Sequence, residues 1–364
     1  MSESPVLFRT EPTVSGHSIG VATLNRPKQL NALNLEMCEL MLAQFRVWAA
    51  ESTIVCVLLE GAGDKGFCAG GDVAEAVRHL RGLVQSPGGN RFAYGDTFFT
   101  VEYELDLLIH QYPKPLIALS HGVCMGGGLG LVAGASHRVF VEDSKIAMPE
   151  IHIGLFPDVG GGYFLNRAPV GTGQLMALTG LIITAEDARY AGLADAVVTV
   201  DARTELIAAL QRGEWTFEGR HNRAVASAAV LDQPKPVNAA AGALEALAED
   251  LKGLAAKDDV IAYRDGLQAL ASRAPYFAGA AKNLSQGSPT AAHVTFEYLR
   301  RTRGWGIADV LALDLKLAKQ FQRHHDFSEG VRALLIDKDR APKWSPAQWS
   351  EVSVELVAEH FLSV

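Results

Sequence analysis

Apolar residues recur with two different spacings along the first part of the chain, and these spacings predict alternating strands and helices. The runs within Val6 to Leu24 and over Thr53 to Leu59 are rich in β-branched residues, as is typical of strands. Between them, apolar residues at helical spacing predict a helix that runs from the N-cap Asn34 to about Ala50. Strand, turn and helix then repeat, and this repetition favours an α/β fold with parallel strands.

The pattern changes near residue 203, where the strand signals stop. Beyond this point, leucine and alanine stripes at helical spacing predict helices only, and we interpret the stripes as core contacts. We therefore expect two regions, an α/β region over residues 1–203 and a helical region over residues 204–364.

A helix is also predicted over Thr97 to Tyr112, and two glutamates lie at the flanks of its apolar face. Periodicity does not separate Glu102 from Glu104. A solvated glutamate is the ordinary structure for each of them, so the pattern alone assigns neither a role.

The segment over residues 146–162 carries two carboxylates, Glu150 and Asp158, with an apolar stretch between them. This stretch, IHIGLF, predicts a buried extended run that ends in a turn at Phe156-Pro157, because proline biases its predecessor toward extended geometry. A helix is predicted to start after Gly160. Asp158 would then lie at a helix N-terminus, where an ionised acid is favoured.

Two acids in different environments are one way to build acid–base or nucleophile roles. In the alternative interpretation, Asp158 only caps the helix and Glu150 is a surface acid after Pro149. Spacing alone favours the alternative, so a catalytic role depends on evidence from the rest of the chain.

Two glycine-rich turns, GFCAGGD over residues 66–72 and GVCMGGG over residues 122–128, each follow a buried strand and precede a helix. A free N–H at such a helix start can donate to a developing oxyanion, and two of them can hold one carbonyl oxygen, as acyl-thioester chemistry requires. Plain tight turns and phosphate loops are the alternatives. The Walker ending and the dinucleotide fingerprint are both absent, which argues against an NTPase and against a dinucleotide-binding protein.

Composition narrows the class of protein further. The chain has 364 residues and a formal net charge of −8, and its basic residues are scattered, which argues against a nucleic-acid partner. No apolar run reaches the ~18 residues of a membrane-spanning helix, so no membrane partner is expected. The first residues show neither a signal peptide nor a transit pattern, so we expect a cytoplasmic protein.

Neither cysteines nor histidines predict a metal site. The four cysteines show no CxxC spacing, and we interpret them as small core residues of a reduced protein. The trio His324-His325-Asp326 is interpreted as a helix end rather than as a set of metal ligands.

The glycine turns and the acidic segment occur together with other motifs in an order that resembles the enoyl-CoA hydratase/isomerase (crotonase) superfamily. Within it, the chain is most similar to the subgroup of 3-hydroxyisobutyryl-CoA hydrolases, and the similarity covers almost the whole length. The motifs that carry it are NRPKQLNALN (25–34), GFCAGGD (66–72), KPLIALSHGVCMGGG (114–128), AMPEIHIGLFPDVGGGYFL (147–165) and HDFSEGVRALLIDKDRAPKW (325–344).

The resemblance implies a spiral of ββα turns with a helical C-terminal region that covers the active site. It also implies an oxyanion hole made by the backbone N–H groups of Gly71 and Gly127. The pantetheine of CoA would run along the loop of Ala69, Gly70, Gly71, Asp72 and Val73. Arg26 or Lys28 would meet a CoA phosphate, although a solvated turn charge explains each of them equally well.

The acids separate hydratases from hydrolases within this superfamily. Hydratases carry one acid at the position of Gly130, match Glu150 with their second acid, and usually have glycine at the position of Asp158. This chain therefore lacks one acid that water addition across a double bond requires. In the hydrolases, Glu102, Glu150 and Asp158 match the acids that contact the substrate.

The resemblance therefore implies hydrolysis of a short 3-hydroxyacyl-CoA, namely 3-hydroxyisobutyryl-CoA to 3-hydroxyisobutyrate and CoA, in valine breakdown. Glu150 and Asp158 would be catalytic, and whether Glu150 attacks the carbonyl carbon or activates a water stays open. The alternatives are an enoyl-CoA hydratase or isomerase and a non-catalytic acyl-CoA-binding protein. We expect acyl-CoA as the small-molecule partner, no cofactor and no metal; superfamily members often assemble as trimers, so a homo-oligomer is an open expectation.

Overall fold

Two strands and a helix follow one another repeatedly in the first half of the computed structural model, which describes residues 4–237 and 242–363. The strands of these residues are β1 (Val6–Pro12), β2 (Ser18–Leu24), β3 (Ile54–Gly61), β4 (Gly66–Cys68), β5 (Leu116–Ser120), β6 (Val123–Met125), β7 (His137–Val141), β8 (Lys145–Ala147) and β9 (Ala196–Val198).

From β3 onwards, the two strands of each repeat belong to different sheets. The strands β1 and β2 join the first strands of the later repeats in a six-stranded sheet of order β1-β2-β3-β5-β7-β9, and the second strands of those repeats form a three-stranded sheet of order β4-β6-β8. In the large sheet β1 is antiparallel to β2, and every other neighbouring pair is parallel. The predicted α/β fold, with its repeated ββα turns, is therefore confirmed.

Helices connect the strands and make up the described chain beyond β9. They are α1 (Leu35–Ala50), α2 (Val73–Leu80), α3 (Ala93–His110), α4 (Gly127–Gly134), α5 (Gly161–Phe164), α6 (Thr172–Thr179), α7 (Ala185–Tyr190), α8 (Ala202–Gln211), α9 (Gly219–Leu231), α10 (Ala243–Ala246), α11 (Ala248–Ala255), α12 (Val260–Ala271), α13 (Ala278–Gln286), α14 (Pro289–Arg301), α15 (Ile307–Arg323), α16 (His325–Val331) and α17 (Val354–Glu359). The start of α1 is confirmed, since the Asn34 side chain accepts a hydrogen bond from the Met37 amide. The helix predicted from Thr97 begins earlier, at Ala93.

The chain divides into two compact units, each built from three separate segments. Unit 1 consists of Met1–Gly71, Glu104–Ile146 and Ile183–Gly242, and unit 2 of Asp72–Tyr103, Ala147–Ile182 and Ala243–Val364. The predicted regions 1–203 and 204–364 each contribute to both units, so the division at residue 203 stays a prediction. Within those regions, residues 1–3, 238–241 and 364 lie outside the described residues.

The core of unit 1 lies on one face of the large sheet. Buried side chains of β2, β3, β5, β7 and β9 pack there against apolar residues of α8 and α9, including Trp215 between the two helices. These strands carry long apolar runs without alternation, as expected of a sheet that is covered.

The core of unit 2 is helical, and it includes the aromatic residue of the predicted Phe156-Pro157 turn. The Phe156 ring packs edge-on against Tyr298 of α14, with centroids 5.1 Å apart, and stacks on Phe321 of α15 at 5.5 Å. The helices α14 and α15 therefore fix the chain between the two acids.

The predicted extended run between these acids is wrong. Glu150–Ile153 form a single 3₁₀ turn, and Gly154 ends it in the left-handed conformation with φ of 65°. The apolar residues Ile151, Leu155 and Phe156 of this run are all buried. A short apolar run whose residues are buried without alternation shows no period that would distinguish a turn from a strand.

Candidate active site

The turn that carries Glu150 is shaped by a close approach of α16. A methyl group on Gly154 would lie 2.4 Å from the main-chain oxygen of Asp326, and one on Gly330 would lie 2.4 Å from the carbonyl carbon of Ile153. Only glycine fits these positions, since real side chains do not approach so closely and Gly154 also has a positive φ. The helix and the turn are thus locked together, and Glu150 is held at a fixed place.

Glu150 itself is 5% exposed, which excludes the interpretation as a surface acid. Its Oε2 atom is buried and has no hydrogen-bond partner among the described residues. Burial raises the pKa of Glu150 well above its usual range, and the negative charge of Asp158 raises it further. A buried acid with an unsatisfied oxygen and a raised pKa is a candidate for a functional group, because structural acids are normally paired.

Asp158 is the second buried acid, at 5% exposure. The phenolic O–H of Tyr103 donates a hydrogen bond of 2.5 Å to its Oδ2 atom. Burial raises the pKa of Asp158, and the Tyr103 hydrogen bond partly opposes this rise because it favours the ionised form.

The expectation that a helix end keeps Asp158 ionised is therefore wrong. The helix that follows, α5, is a single turn, and no side chain caps it. The main-chain oxygen of Asp158 accepts from the Gly161 amide at 2.7 Å, while its carboxylate faces Tyr103. Burial raises the pKa of this acid to about 6, and the hydrogen bonds from Tyr103 and from its own main-chain N–H oppose the rise.

The structure separates the two glutamates of α3 that periodicity left equivalent. Glu102 is 2% exposed, and its charge contributes to the raised pKa of its neighbour Tyr103. Glu104 is exposed and forms an ion pair with Arg46. Of the two, Glu102 therefore belongs to the cluster of interacting buried groups that contains Glu150 and Asp158.

Sequence reasoning missed three further members of this cluster: Tyr103, Tyr298 and Asp314. Tyr103 left no signal, because its contact with Asp158 joins residues 55 positions apart. Asp314 did leave one. It occupies a core position of α15 between Leu311 and Leu317, where the apolar period calls for another aliphatic residue.

The two predicted oxyanion glycines lie on adjoining loops of unit 1. Gly70 has φ of 102°, and a methyl group there would lie 3.1 Å from the Met125 carbonyl oxygen and 3.6 Å from the Gly127 amide nitrogen. Gly127 is buried and is the first residue of α4, so its N–H has no acceptor within the helix. Neither the Gly71 nor the Gly127 amide donates to another described residue, which leaves both N–H groups available to an acceptor; their role as an oxyanion hole stays a prediction.

The predicted CoA loop continues from this pair. The first segment of unit 1 ends with Ala69, Gly70 and Gly71. Asp72 precedes α2, and Val73 is the first residue of that helix. The guanidinium of Arg26 is engaged within its own loop, where it donates to the Ala32 main-chain oxygen at 2.5 Å. Lys28 is exposed in the 3₁₀ turn Pro27–Gln29. CoA contacts by these residues stay predictions.

The remaining predictions from composition concern cysteines, metals and membranes. All four cysteines are buried, so their interpretation as core residues is confirmed. Within residues 4–237 and 242–363, no group of three histidine, cysteine or acidic residues is arranged to hold a metal ion, and Asp326 instead accepts from Ser288 Oγ and the Ser345 amide. No helix in the same residues is both apolar and long enough to cross a membrane.

Comparison with known proteins identifies the family. The enoyl-CoA hydratase/isomerase family model matches residues 19–361. The mitochondrial 3-hydroxyisobutyryl-CoA hydrolase of Xenopus tropicalis is 36% identical over 353 residues, which cover 95% of this chain and 86% of the relative. The protein therefore belongs to the enoyl-CoA hydratase/isomerase (crotonase) family, and it is an acyl-CoA enzyme of that family.

Solved structures agree on the fold. A carnitinyl-CoA dehydratase from Mycobacterium thermoresistibile superposes with a TM-score of 0.86 at 32% identity, over 100% of this chain and 97% of that one. An enoyl-CoA hydratase from Rhodobacter sphaeroides 2.4.1 gives 0.84 at 36% identity, over 99% and 98%. These names include a dehydratase and a hydratase, whereas the Xenopus relative is named a hydrolase.

The names of the curated relatives contradict the expected cytoplasmic location. The cytoplasmic location is withdrawn, since the curated relatives at 34–37% identity are mitochondrial proteins. The expectation rested on the lack of a targeting pattern. Targeting segments are removed from mature proteins, so the lack of one in a sequence is poor evidence about location.

Proposed function

We propose that the protein hydrolyses the thioester of a short 3-hydroxyacyl-CoA, and that its substrate is 3-hydroxyisobutyryl-CoA, cleaved to 3-hydroxyisobutyrate and CoA. The observation that carries the proposal is the pair of buried, interacting acids Glu150 and Asp158 in a chain that has glycine at position 130. The names of curated relatives, which are 3-hydroxyisobutyryl-CoA hydrolases, support the same reaction. On this basis the pathway is valine breakdown.

Glu150 would carry out the first step in one of two ways. Its carboxylate attacks the thioester carbonyl carbon, the C–S bond breaks, and water then hydrolyses the mixed anhydride. Alternatively, it takes a proton from a water molecule whose oxygen attacks the same carbon. In both routes the CoA thiolate leaves with a proton, and the products are the free acid and CoA.

Asp158 would supply that proton or bind the substrate's 3-hydroxyl group. Two carboxylates that interact in a buried site do not both ionise readily, so the pair holds one proton over an intermediate pH range. One member then acts as base or nucleophile while the other donates. Glu102, buried next to Tyr103, would complete the polar end of the acyl pocket.

The N–H groups of Gly71 and Gly127 would bind the thioester oxygen and stabilise the negative charge that develops on it. Loss of one such donor typically costs ~10²–10³ in rate. The loop from Ala69 to Val73 would follow the pantetheine of CoA. In this proposal the reaction uses no cofactor and no metal, since water, acids and amides supply every step.

A panel of short acyl-CoAs, with and without a 3-hydroxyl group, tests the proposal by release of free thiol. We expect release that is fastest for 3-hydroxyisobutyryl-CoA, because buried acids left without their hydroxyl partner disfavour the other esters. Hydration of an enoyl-CoA without thiol release would instead identify a hydratase. Tight binding of every ester without any turnover would identify an acyl-CoA-binding protein.

A further inference from the structure

A third buried acid, Asp314 of α15, holds the loop that carries Asp158. Asp314 is fully buried. Its Oδ2 atom accepts from the Gly160 amide at 2.8 Å, and its Oδ1 atom accepts from the Tyr298 hydroxyl at 2.6 Å. Both oxygens of this carboxylate are thus engaged, in contrast to the unsatisfied oxygen of Glu150.

Tyr298 of α14 extends the same network. Its hydroxyl oxygen accepts from the Gly162 amide at 2.7 Å while its proton goes to Asp314. The amides of Gly160 and Gly162 are therefore both fixed by side chains from C-terminal helices. Between them, the Gly161 amide donates to the Asp158 main-chain oxygen, so the amides of Gly160, Gly161 and Gly162 all have acceptors.

A buried aspartate is an energetically unfavourable residue for holding main-chain amides. Burial of a carboxylate without a cation is unfavourable, and a neutral amide or hydroxyl side chain also accepts hydrogen bonds from an amide. Burial raises the pKa of Asp314 well above its usual range, and the charge of Asp158 adds to the rise. Asp314 is therefore both tied to the Asp158 loop and within electrostatic reach of the Asp158 carboxylate.

We propose that Asp314 is a positioning residue for Asp158: through the Gly160 amide it fixes the loop that aims the Asp158 carboxylate at the Tyr103 hydroxyl. Its catalytic consequence rests on the proposed thioester hydrolysis. The titratable groups that face the two aspartates are Glu102, Tyr103, Glu150 and Tyr298.

Two substitutions test the proposal by kinetics. Asp314→Ala removes the acceptor for Gly160, and we expect kcat for thiol release to fall by ~10²-fold, as for an ångström-scale misplacement of a catalytic group, with KM little changed. Asp314→Asn keeps an acceptor but removes the charge. It should retain more activity than Asp314→Ala, because the Gly160 amide still has an acceptor.

A second pair separates positioning from general stability. Tyr298→Phe removes the hydroxyl that bridges Gly162 and Asp314 and should lower kcat. Tyr263→Phe is the matched control, since Tyr263 of α12 is equally buried and its hydroxyl has no hydrogen-bond partner among the described residues. This control should leave kcat and the pH profile unchanged.

Crystal structures of the wild type and of Asp314→Ala test the geometry without reference to activity. We expect the Tyr103–Asp158 hydrogen bond to be lost in the variant and kept in the wild type. If the wild type releases no thiol from any ester, the proposed function fails, and the crystal structures still decide the positioning role. Retention of that hydrogen bond, or a kcat within twofold of wild type in Asp314→Ala, would overturn the proposal. If Asp314→Ala does not fold, the same two criteria apply to Tyr298→Phe.

Discussion

Tyr103 and Asp158 are joined by a hydrogen bond of 2.5 Å between two buried side chains. The bond favours the ionised form of the aspartate, while burial favours the protonated form. The phenol therefore tunes an acid that the proposed reaction uses.

Removal of this hydroxyl in Tyr103→Phe should lower kcat by roughly 10- to 150-fold, which corresponds to the ~1.5–3 kcal/mol of a hydrogen bond to a charged group. Thiol release at saturating substrate measures the effect. Tyr112→Phe is the control, because it also removes a buried hydroxyl, one that donates to the Phe45 main-chain oxygen at 2.8 Å. An equal loss of kcat in both variants would contradict a specific role for Tyr103.

Glu150→Gln should abolish thiol release and leave the affinity for the acyl-CoA nearly unchanged. The substitution keeps the shape of the side chain and removes only its basicity and charge, whose loss costs at least ~10²-fold in acid–base catalysis. Thiol release measures the rate and titration calorimetry the affinity. Near-normal turnover would refute the assignment of Glu150.

The pH dependence follows from the interaction between the acids. The charge of Asp158 raises the pKa of Glu150, and Glu150 must be ionised to act as nucleophile or base. Activity should therefore rise with pH through this raised pKa. In Asp158→Asn the charge is gone, the pKa of Glu150 falls, and the residual activity should rise at lower pH than in the wild type. A limb that stays in place or moves to higher pH would disprove the coupling.

The glutamates of α3 offer a matched pair. Glu102→Gln should reduce the preference for 3-hydroxyacyl-CoAs over esters without the hydroxyl, because Glu102 is buried beside Tyr103. Glu104→Gln should change neither rate nor preference, since Glu104 lies on the surface, where an ion pair contributes only ~0–1 kcal/mol. The ratio of kcat/KM values for the two ester classes is the measurement. Similar ratios in both variants would remove Glu102 from the site.

Gly154→Ala should destabilise the fold and lower activity together. The added methyl group would meet the Asp326 main-chain oxygen at 2.4 Å in a residue with φ of 65°, so the turn of Glu150 and α16 must separate. Gly279→Ala is the control, because a methyl group there meets nothing within 4 Å and alanine improves a helix by ~0.5–1 kcal/mol. Thermal unfolding of both variants checks the expectation, which a Gly154→Ala protein as stable as the wild type would contradict.

The sequence was sufficient for features that depend on local patterns. The N-cap of α1 at Asn34 is confirmed, since its side chain accepts from the amide three residues on. The repeat of strands and helices and the burial of the cysteines were likewise predicted from neighbouring residues in the sequence. Capping and periodicity act within one turn, so they are visible without the fold.

Features that depend on distant contacts were not predictable. The turn at Glu150 exists because α16 and Gly154 meet across some 170 residues of chain, and no local pattern encodes that contact. Likewise, Glu102 and Glu104 are distinguished only by what packs around them. Asp314 is an intermediate case. Its acidic side chain in an apolar stripe is visible in the sequence, but its hydrogen-bond partners, the Gly160 amide and the Tyr298 hydroxyl, are not.

The burial of the four cysteines has a practical consequence for measuring the enzyme. Burial raises the pKa of Cys56, and that of Cys124 to about 12, so these thiols carry almost no thiolate at neutral pH. A colour reagent that reacts with thiolates will therefore be consumed by liberated CoA and not by the folded catalyst. Colour that develops with the protein alone would in turn report exposure of the cysteines on unfolding. The same reagent therefore measures both the turnover and the folded state of the enzyme.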